Sequence, residues 1–351
     1  MSWVQDLARP EIVALKAYEH ASWEPSLERL HANELPWRTL GDESTAGLNR
    51  YPEPQPHELV QRLATLYEVE ADRILVGRGS DEAIDLIART FCRAGQDAVL
   101  ICPPTFGMYS VAARIQGADV VSVPLAADRG FALDEQQVLD RCTPDVKVLF
   151  LCSPNNPTGN LLDEQAILTI AARLAGRAVV VVDEAYIEFS DRASLSRHLS
   201  MLPHLAILRT LSKAHGLAGA RCGTLIADPE VVRLLRKVIP PYAIPQLTLE
   251  AVLKGLEPGQ LTVSGAHIDL ICTERDRVSA VLKSFSNVVH VWPSDSNFIL
   301  VQFSDAAAAL AAARDARLLV RDARGYPGLG NALRLTIGSV EQNDRLLGAL
   351  Q

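Results

Sequence analysis

From about residue 70 to about 230, short apolar runs rich in β-branched residues alternate with amphipathic stretches. The runs are DRILVG (72–77), DAVLIC (97–102), DVVSVPL (119–125), VKVLFLC (146–152), AVVVVDE (178–184), LAILRT (205–210) and CGTLIA (222–227). Between several of them, segments such as SDEAIDLIARTFCRAG and DEQAILTIAARLAG repeat apolar residues at i, i+3, i+4, which predicts helices. Near-continuous apolar strands alternating with helices imply an α/β fold, a mainly parallel sheet covered on both faces. Ligands in such sheets bind beyond the carboxyl ends of the strands. The polar residues of interest fall at those ends: Gly77–Ser80, Pro103–Tyr109, Ser153–Gly159, Asp183–Tyr186 and Ser212–Lys213.

The pattern changes after residue 230. KVIPPYAIPQ reads as a restricted connection, because its prolines disfavour both helix and strand. A long helical stretch over about 246–286 follows, then NVVHVW, NFILVQF, an alanine-rich helix (305–316), RLLVRD, ALRLTIG and a closing helix. This predicts a smaller α+β unit. The expected division is an arm over 1–50, a large domain over 51–245, and a helix linker with a small C-terminal domain over 246–351. The arm carries Pro, Trp and His without long periodicity and is expected to pack across both units.

Composition narrows the class of function. The chain has 351 residues, enough for about two domains, with 48% apolar and 22% charged residues. A net charge of −8 and the lack of any basic block argue against nucleic acid or an anionic membrane as partner. The six cysteines lie far apart with no CxxC pair, so buried reduced thiols are expected rather than a metal site or disulfide framework. The start MSWVQDLARPEI does not read as a signal peptide, and no stretch of about 20 apolar residues is present. A soluble cytoplasmic protein is the expectation.

The chemistry begins with RTLSKAHGLAGARCG. Lys213 follows a strand and a serine, and Arg221 lies beyond a Gly/Ala-rich turn. A Schiff-base lysine needs partial desolvation to lower its pKa, and a nearby phosphate would need hydroxyl and guanidinium donors such as Ser212 and Arg221. In AVVVVDEAYIEF, Asp183 ends an apolar strand, and a buried carboxylate needs a partner. That partner is a protonated heterocycle nitrogen in one reading, a structural salt bridge or helix cap in the other. The loop SPNNPTG after another strand is either a plain turn or the place where Asn156, together with the Tyr186 hydroxyl, donates to a ring oxygen. GRGSDEAIDLIAR places Gly79, Ser80 and Asp81 at a helix start, suited to an anion or to simple capping. Tyr109 in PPTFGMYS can stack on a flat ring or serve as a core aromatic. Neither GxxxxGK[ST] nor GxGxxG occurs, which disfavours nucleotide phosphates and a dinucleotide-binding dehydrogenase.

In order along nearly the whole chain, LHANELPW, NRYPEPQP, GRGSDE, PPTFGMYS, SPNNPTG, VVDEAYIEF, RTLSKA, AGARCG and VRDARGYPGL…LRLTIGS resemble the histidinol-phosphate aminotransferases of the class II aminotransferase group. The resemblance implies a fold-type I transferase: a large domain with a mainly parallel seven-stranded sheet between helices, plus a smaller α+β domain. It implies pyridoxal 5′-phosphate held as a Schiff base on Lys213, with Asp183 at the pyridine nitrogen and Asn156 and Tyr186 at the ring oxygen. Tyr109 would stack on the ring; Gly79, Ser80, Asp81, Ser212 and Arg221 would hold the phosphate. Tyr51 would reach that phosphate from the other subunit of a homodimer. Arg334 and Arg321 match arginines that bind substrate carboxylate and phosphate, and Tyr18 and Asn33 fall where the family contacts substrate. The implied reaction exchanges an amino group between L-histidinol phosphate and 2-oxoglutarate. An aromatic aminotransferase or a threonine-phosphate decarboxylase would share the core motifs. A ligand-sensing regulator would need a DNA-binding extension that does not fit before residue 50. His31 and His215 depart from residues common in the family.

Overall fold

The computed structural model describes residues 3–22, 24 and 26–351. Positions 1, 2, 23 and 25, all within the expected arm, lie outside the described residues, as does the first part of the MSWV start. The seven apolar runs become β1 (Ile74–Gly77), β2 (Ala98–Ile101), β3 (Asp119–Ser122), β4 (Val146–Cys152), β5 (Val179–Asp183), β6 (Leu205–Thr210) and β7 (Gly223–Ile226). They form one sheet in the order β1-β7-β6-β5-β4-β2-β3. From β6 through β3 the pairs are parallel. β7 runs antiparallel to both β6 and β1. The cause is local: the twelve residues Leu211–Cys222 that join β6 to β7 hold only a three-residue 3-10 turn, whereas a parallel return usually carries an α-helix across the sheet face.

Apart from the partly exposed edge strand β3, both faces of the sheet are buried, which explains why the strands read as apolar runs. In β5, Val180 and Val182 join one core, with Leu59, Leu63 and Ile167. Val179 and Val181 join the other, with Ile84, Ile87 and Phe91 of the helix Ser80–Phe91. The ends of the inner strands therefore emerge between two packed layers, and polar groups placed there are held by apolar walls.

A second sheet contains β8 (Val288–Val291), β9 (Phe298–Phe303), β10 (Arg321–Asp322) and β11 (Ala332–Thr336), in the antiparallel order β10-β11-β9-β8. Ile299, Val301, Leu333 and Leu335 pack under the helices Pro258–Leu282, Ala306–Asp315 and Val340–Leu350. On the opposite face of β9, Phe298 packs with Tyr186 and Ala214 and Leu300 joins a core of the first sheet. This contact seats the smaller sheet over the strand ends.

Three details differ from the sequence expectation. The stretch over 246–286 is two helices, Gln246–Gly255 and Pro258–Leu282, because Pro258 opens a new helix at its first turn. RLLVRD contributes only the exposed pair Arg321–Asp322 as strand. In the arm, Trp3–Leu7 and Pro10–Ala14 are short helices. Val4, Leu7 and Ala8 pack into the core beside Ile84. Farther on, Thr45 N–H donates to Glu250 at 2.7 Å.

Candidate active site

β5 delivers Asp183 into a buried position at the centre of the sheet edge. Its carboxylate accepts the Tyr109 hydroxyl at 2.7 Å and the Ala185 N–H at 3.1 Å. Among the described residues no cation lies within ion-pair distance. Burial pushes its pKa up to about 6, against the lowering effect of the Tyr109 hydrogen bond. A carboxylate so placed is built to meet a cation that the protein itself does not supply.

Lys213 stands opposite, on a turn after β6. The Thr210 hydroxyl accepts the Ser212 N–H at 3.1 Å, and the Lys213 carbonyl accepts the Gly216 N–H at 3.3 Å. Nζ lies 5.6 Å from the centre of the Tyr186 ring. Burial lowers the lysine pKa, and the Arg334 guanidinium adds to that effect. The amine is thereby biased towards its neutral, nucleophilic form.

The next element is a cup for an anion. Gly79, at φ +82°, precedes the first turn of the helix Ser80–Phe91, whose leading N–H groups lack partners within the helix. Arg221 bends over this start. Its guanidinium lies 3.4 Å from the Ser212 hydroxyl and 3.3 Å from Asp81. A Cβ at position 79 would sit 2.5 Å from Arg221 Nη2, and one at Gly223 would sit 2.3 Å from the backbone of Gly79 and Ser80. Glycine at both positions is what lets the guanidinium and the helix start converge. Ser80 and Asp81 occupy the first helical turn, with Gly79 itself at the cap position.

On the far side, Asn156 donates to the Tyr186 hydroxyl at 3.3 Å and accepts from Arg334 at 2.5 Å. Arg334 Nε is buried without a hydrogen-bond partner among the described residues. Arg321 pairs with Arg334 across β10 and β11, so the small sheet presents two guanidinium-bearing residues side by side.

These groups surround one cavity of about 330 Å³. Of the residues singled out from the sequence, Ser80, Asp81, Asn156, Asp183, Tyr186, Ser212, Lys213, Arg221, Arg321 and Arg334 line it. Gly79 lies directly behind Arg221. Tyr109 requires a correction: it is fully buried, stacked on Phe150 at 4.8 Å and bonded to Asp183, and it does not line the cavity. Phe106, three residues earlier in the same motif, lines the cavity instead. The physical reason is the helix Met108–Gln116, which turns Tyr109 inwards while Phe106 stays in the preceding loop. Cys152, Thr210 and Tyr326 also line the cavity and escaped the sequence reading. Tyr326 had a signal only in its place between the two arginines.

Tyr51, Tyr18 and Asn33 are not brought to this cavity. Tyr51 stacks on Tyr242 at 4.6 Å, Tyr18 lies edge-on to His20, and Asn33 borders a separate surface hollow with Tyr51. His31 bonds the Ser22 carbonyl at 3.0 Å. His215 is half-buried as a residue, with its side chain 7% exposed and Nε2 4.0 Å from Glu188.

The family model for aminotransferase class I and II matches residues 27–350. The histidinol-phosphate aminotransferase of Xylella fastidiosa (strain 9a5c) is 46% identical over 99% of this chain and 96% of its own. Among solved structures, the histidinol-phosphate aminotransferase of Sinorhizobium meliloti in complex with pyridoxal-5′-phosphate has a TM-score of 0.77 at 25% identity, over 86% of this chain and 82% of that one. The L-threonine-O-3-phosphate decarboxylase of Porphyromonas gingivalis has a TM-score of 0.72 at 26% identity, over 86% and 90%.

Proposed function

Because the chain belongs to the aminotransferase class I and II family, we propose that its cavity transfers an amino group between L-histidinol phosphate and 2-oxoglutarate, giving imidazole-acetol phosphate and L-glutamate. The enzyme uses pyridoxal 5′-phosphate, as its family does. The residues present fit that group. Asp183 is a buried carboxylate without a cation, the Gly79–Arg221 cup suits a phosphate, and a partly desolvated lysine faces both. When bound, the cofactor supplies an electron-withdrawing ring that acidifies the substrate Cα proton.

The roles of the protein groups follow from their placement. Asp183 would hold a proton on the pyridine nitrogen through its negative charge. Ser80, Asp81, Ser212 and Arg221, with the close backbone at Gly79, grip the phosphate. Phe106, which lines the cavity, would flank the ring, and Asn156 and Tyr186 would donate to its oxygen. Lys213 would hold the cofactor, and its Nζ is the group that would take the substrate Cα proton. Arg334 and Arg321 read the substrate anion; a planar guanidinium pairs with a carboxylate or a phosphate, as the two half-reactions require. The single observation that carries this reading is the convergence of Lys213, Asp183, Arg221 and Arg334 on one cavity. The full-length likeness to histidinol-phosphate aminotransferases favours transamination over decarboxylation.

The working form is inferred to be a cytoplasmic homodimer. Tyr18 and Asn33, and Tyr51 just past the arm's end, lie off this chain's own cavity, and the arm exposes Leu30, Leu35, Trp37 and Leu40. Such a surface suits a second copy whose site these residues complete. No helix among the described residues is long and apolar enough to cross a membrane. All six cysteines are free thiols, five of them buried, which suits a reducing compartment.

Purified protein loaded with cofactor should show a visible absorption band that shifts on adding glutamate and is absent in Lys213→Ala. It should then convert imidazole-acetol phosphate. Release of CO2 from phosphothreonine, without that conversion, would overturn the assignment.

A further inference from the structure

Behind the lysine turn lies a buried polar cluster that the reaction described above does not use. Glu184, next to Asp183, accepts the Ser194 hydroxyl at 2.6 Å and the Leu195 N–H at 2.7 Å. Glu188, on the 3-10 turn Ile187–Phe189, accepts from Arg209 at 2.8 Å. Arg209, on β6, lies 3.7 Å from Glu184 and stacks over the Tyr67 ring at 4.6 Å. His215 closes the group, its Nε2 4.0 Å from Glu188.

Two features set this cluster apart. First, two carboxylates share one guanidinium, so the cluster is short of positive charge while His215 is neutral. Second, Tyr67 Oη, Glu188 Oε2, Arg209 Nε, His215 Nδ1 and Thr224 Oγ1 are all buried without a hydrogen-bond partner among the described residues. Buried polar atoms left unpaired are rare and call for an explanation. Three of them, on Glu188, Arg209 and His215, belong to side chains that interact with one another, and this histidine sits two residues from the lysine.

The connection to Lys213 is short. Lys213 and Gly216 close a tight turn, with His215 as its third residue and Gly216 at φ +67°. Ala214 packs the same turn against Ala185, Tyr186 and Phe189. The turn is thus held to the segment after β5 by the apolar contact of Ala214, and the His215 ring lies beside Glu188 at 4.0 Å, where it forms an ion pair only when protonated.

We propose that His215 is a positioning residue for Lys213: buried against Glu188, it ties the turn bearing the lysine to the segment that bears Asp183 and Tyr186. The link acts through the Glu188–Arg209 pair and touches neither substrate nor cofactor. The facing groups are Glu188 and Glu184 after β5, Arg209 on β6 and Tyr67 at the end of the helix His57–Tyr67. A change in the cluster's charge should therefore move the lysine's own titration, which a merely space-filling residue would not do.

The inference rests on Lys213 as the cofactor lysine, and the test separates the two. The rate at which ligand-free protein captures pyridoxal 5′-phosphate is followed by absorbance across pH, since only the neutral amine attacks the aldehyde. The same samples are titrated for the pH midpoint of the visible band. His215→Phe keeps the ring and removes both nitrogens; it should slow capture by about tenfold and shift the midpoint by about half a unit or more. His215→Gln should recover most of both effects, and Glu188→Gln should have little further effect in the His215→Phe background. Native protein that captures no cofactor at Lys213 would refute the functional reading itself. Native capture with an unaltered His215→Phe profile, or with His215→Gln as impaired as His215→Phe, would refute the positioning role. If His215→Phe does not fold, Glu188→Gln alone decides: an unchanged midpoint in that variant overturns the proposal.

Discussion

Replacing Tyr109 by phenylalanine removes one oxygen and leaves the ring on Phe150. The lost hydroxyl is the donor at 2.7 Å from Asp183, inside a site where that carboxylate has no cation of its own. A buried hydrogen bond to a charged acceptor contributes about 1.5–3 kcal/mol. At about 1.4 kcal/mol per pKa unit, its loss raises the Asp183 pKa by about 1–2 units. That pKa stands at about 6 in the cofactor-free protein; a bound pyridinium would lower it in both proteins, and the variant's would stay the higher of the two. A carboxylate that binds its own proton more readily holds the proton on the pyridine nitrogen less firmly. Tyr109→Phe should therefore lower kcat/KM by about 10- to 100-fold at pH 7, with partial recovery as the pH is raised towards 9. Steady-state kinetics over pH 6–9, alongside cofactor affinity by fluorescence, measure this. A Tyr109→Phe profile that overlays the native one would show that the hydroxyl does not control Asp183, and the reasoning would fail.

Asp183 also sets the pH dependence of the ligand-free protein. Its folded pKa lies above its unfolded value of 3.8, so its contribution to stability is full below 3.8 and is lost as pH rises through about 6. The gap corresponds to about 3 kcal/mol, and Asp183→Asn should gain about that much relative to native between pH 4 and 7 in denaturant titrations. Arg334→Lys keeps the charge but loses the planar fork that meets Asn156, and should raise KM for both glutamate and histidinol phosphate by about tenfold or more. Gly223→Ala drives a Cβ into the backbone of Gly79 and Ser80, and should cost about 1–3 kcal/mol by thermal melting as well as weakening cofactor binding. Mixing inactive Tyr51→Ala and Lys213→Ala subunits should restore measurable activity if two copies share each site. Mixtures that exchange subunits and stay inactive would contradict shared sites.

The strands were readable because both faces of the sheet are buried, so apolar runs mark them almost to the residue. The direction of β7 was not readable from hydrophobicity, which is blind to polarity of the chain. The short Leu211–Cys222 connection was the available signal. Lys213, Asp183 and Arg221 stood out because strand ends of one sheet edge must meet. The choice between Phe106 and Tyr109 depends on where a helix begins, and a helix start moves by one or two residues without changing the motif. Tyr326 and the His215 cluster lay beyond reach for another reason. Their partners come from distant segments, and nothing periodic announces a loop residue or a buried ion pair.

The position of β1 at the sheet edge carries a consequence for the birth of the protein. Its only strand neighbour is β7, with Ile74 facing Ile226. On a ribosome, 226 − 74 = 152 residues separate the emergence of the first strand from that of its partner. At about 5–20 residues per second, this leaves an apolar ribbon unpaired for about 8–30 s. The phosphate cup shares that delay, since Gly79 follows β1 and Arg221 precedes β7. The nascent chain can stack its middle strands early, but it has no anion cup until the first and last strands of this sheet meet. Ribosome-associated chaperones would find their longest-lived client segment at Ile74–Gly77, far in sequence from the lysine that defines the finished enzyme.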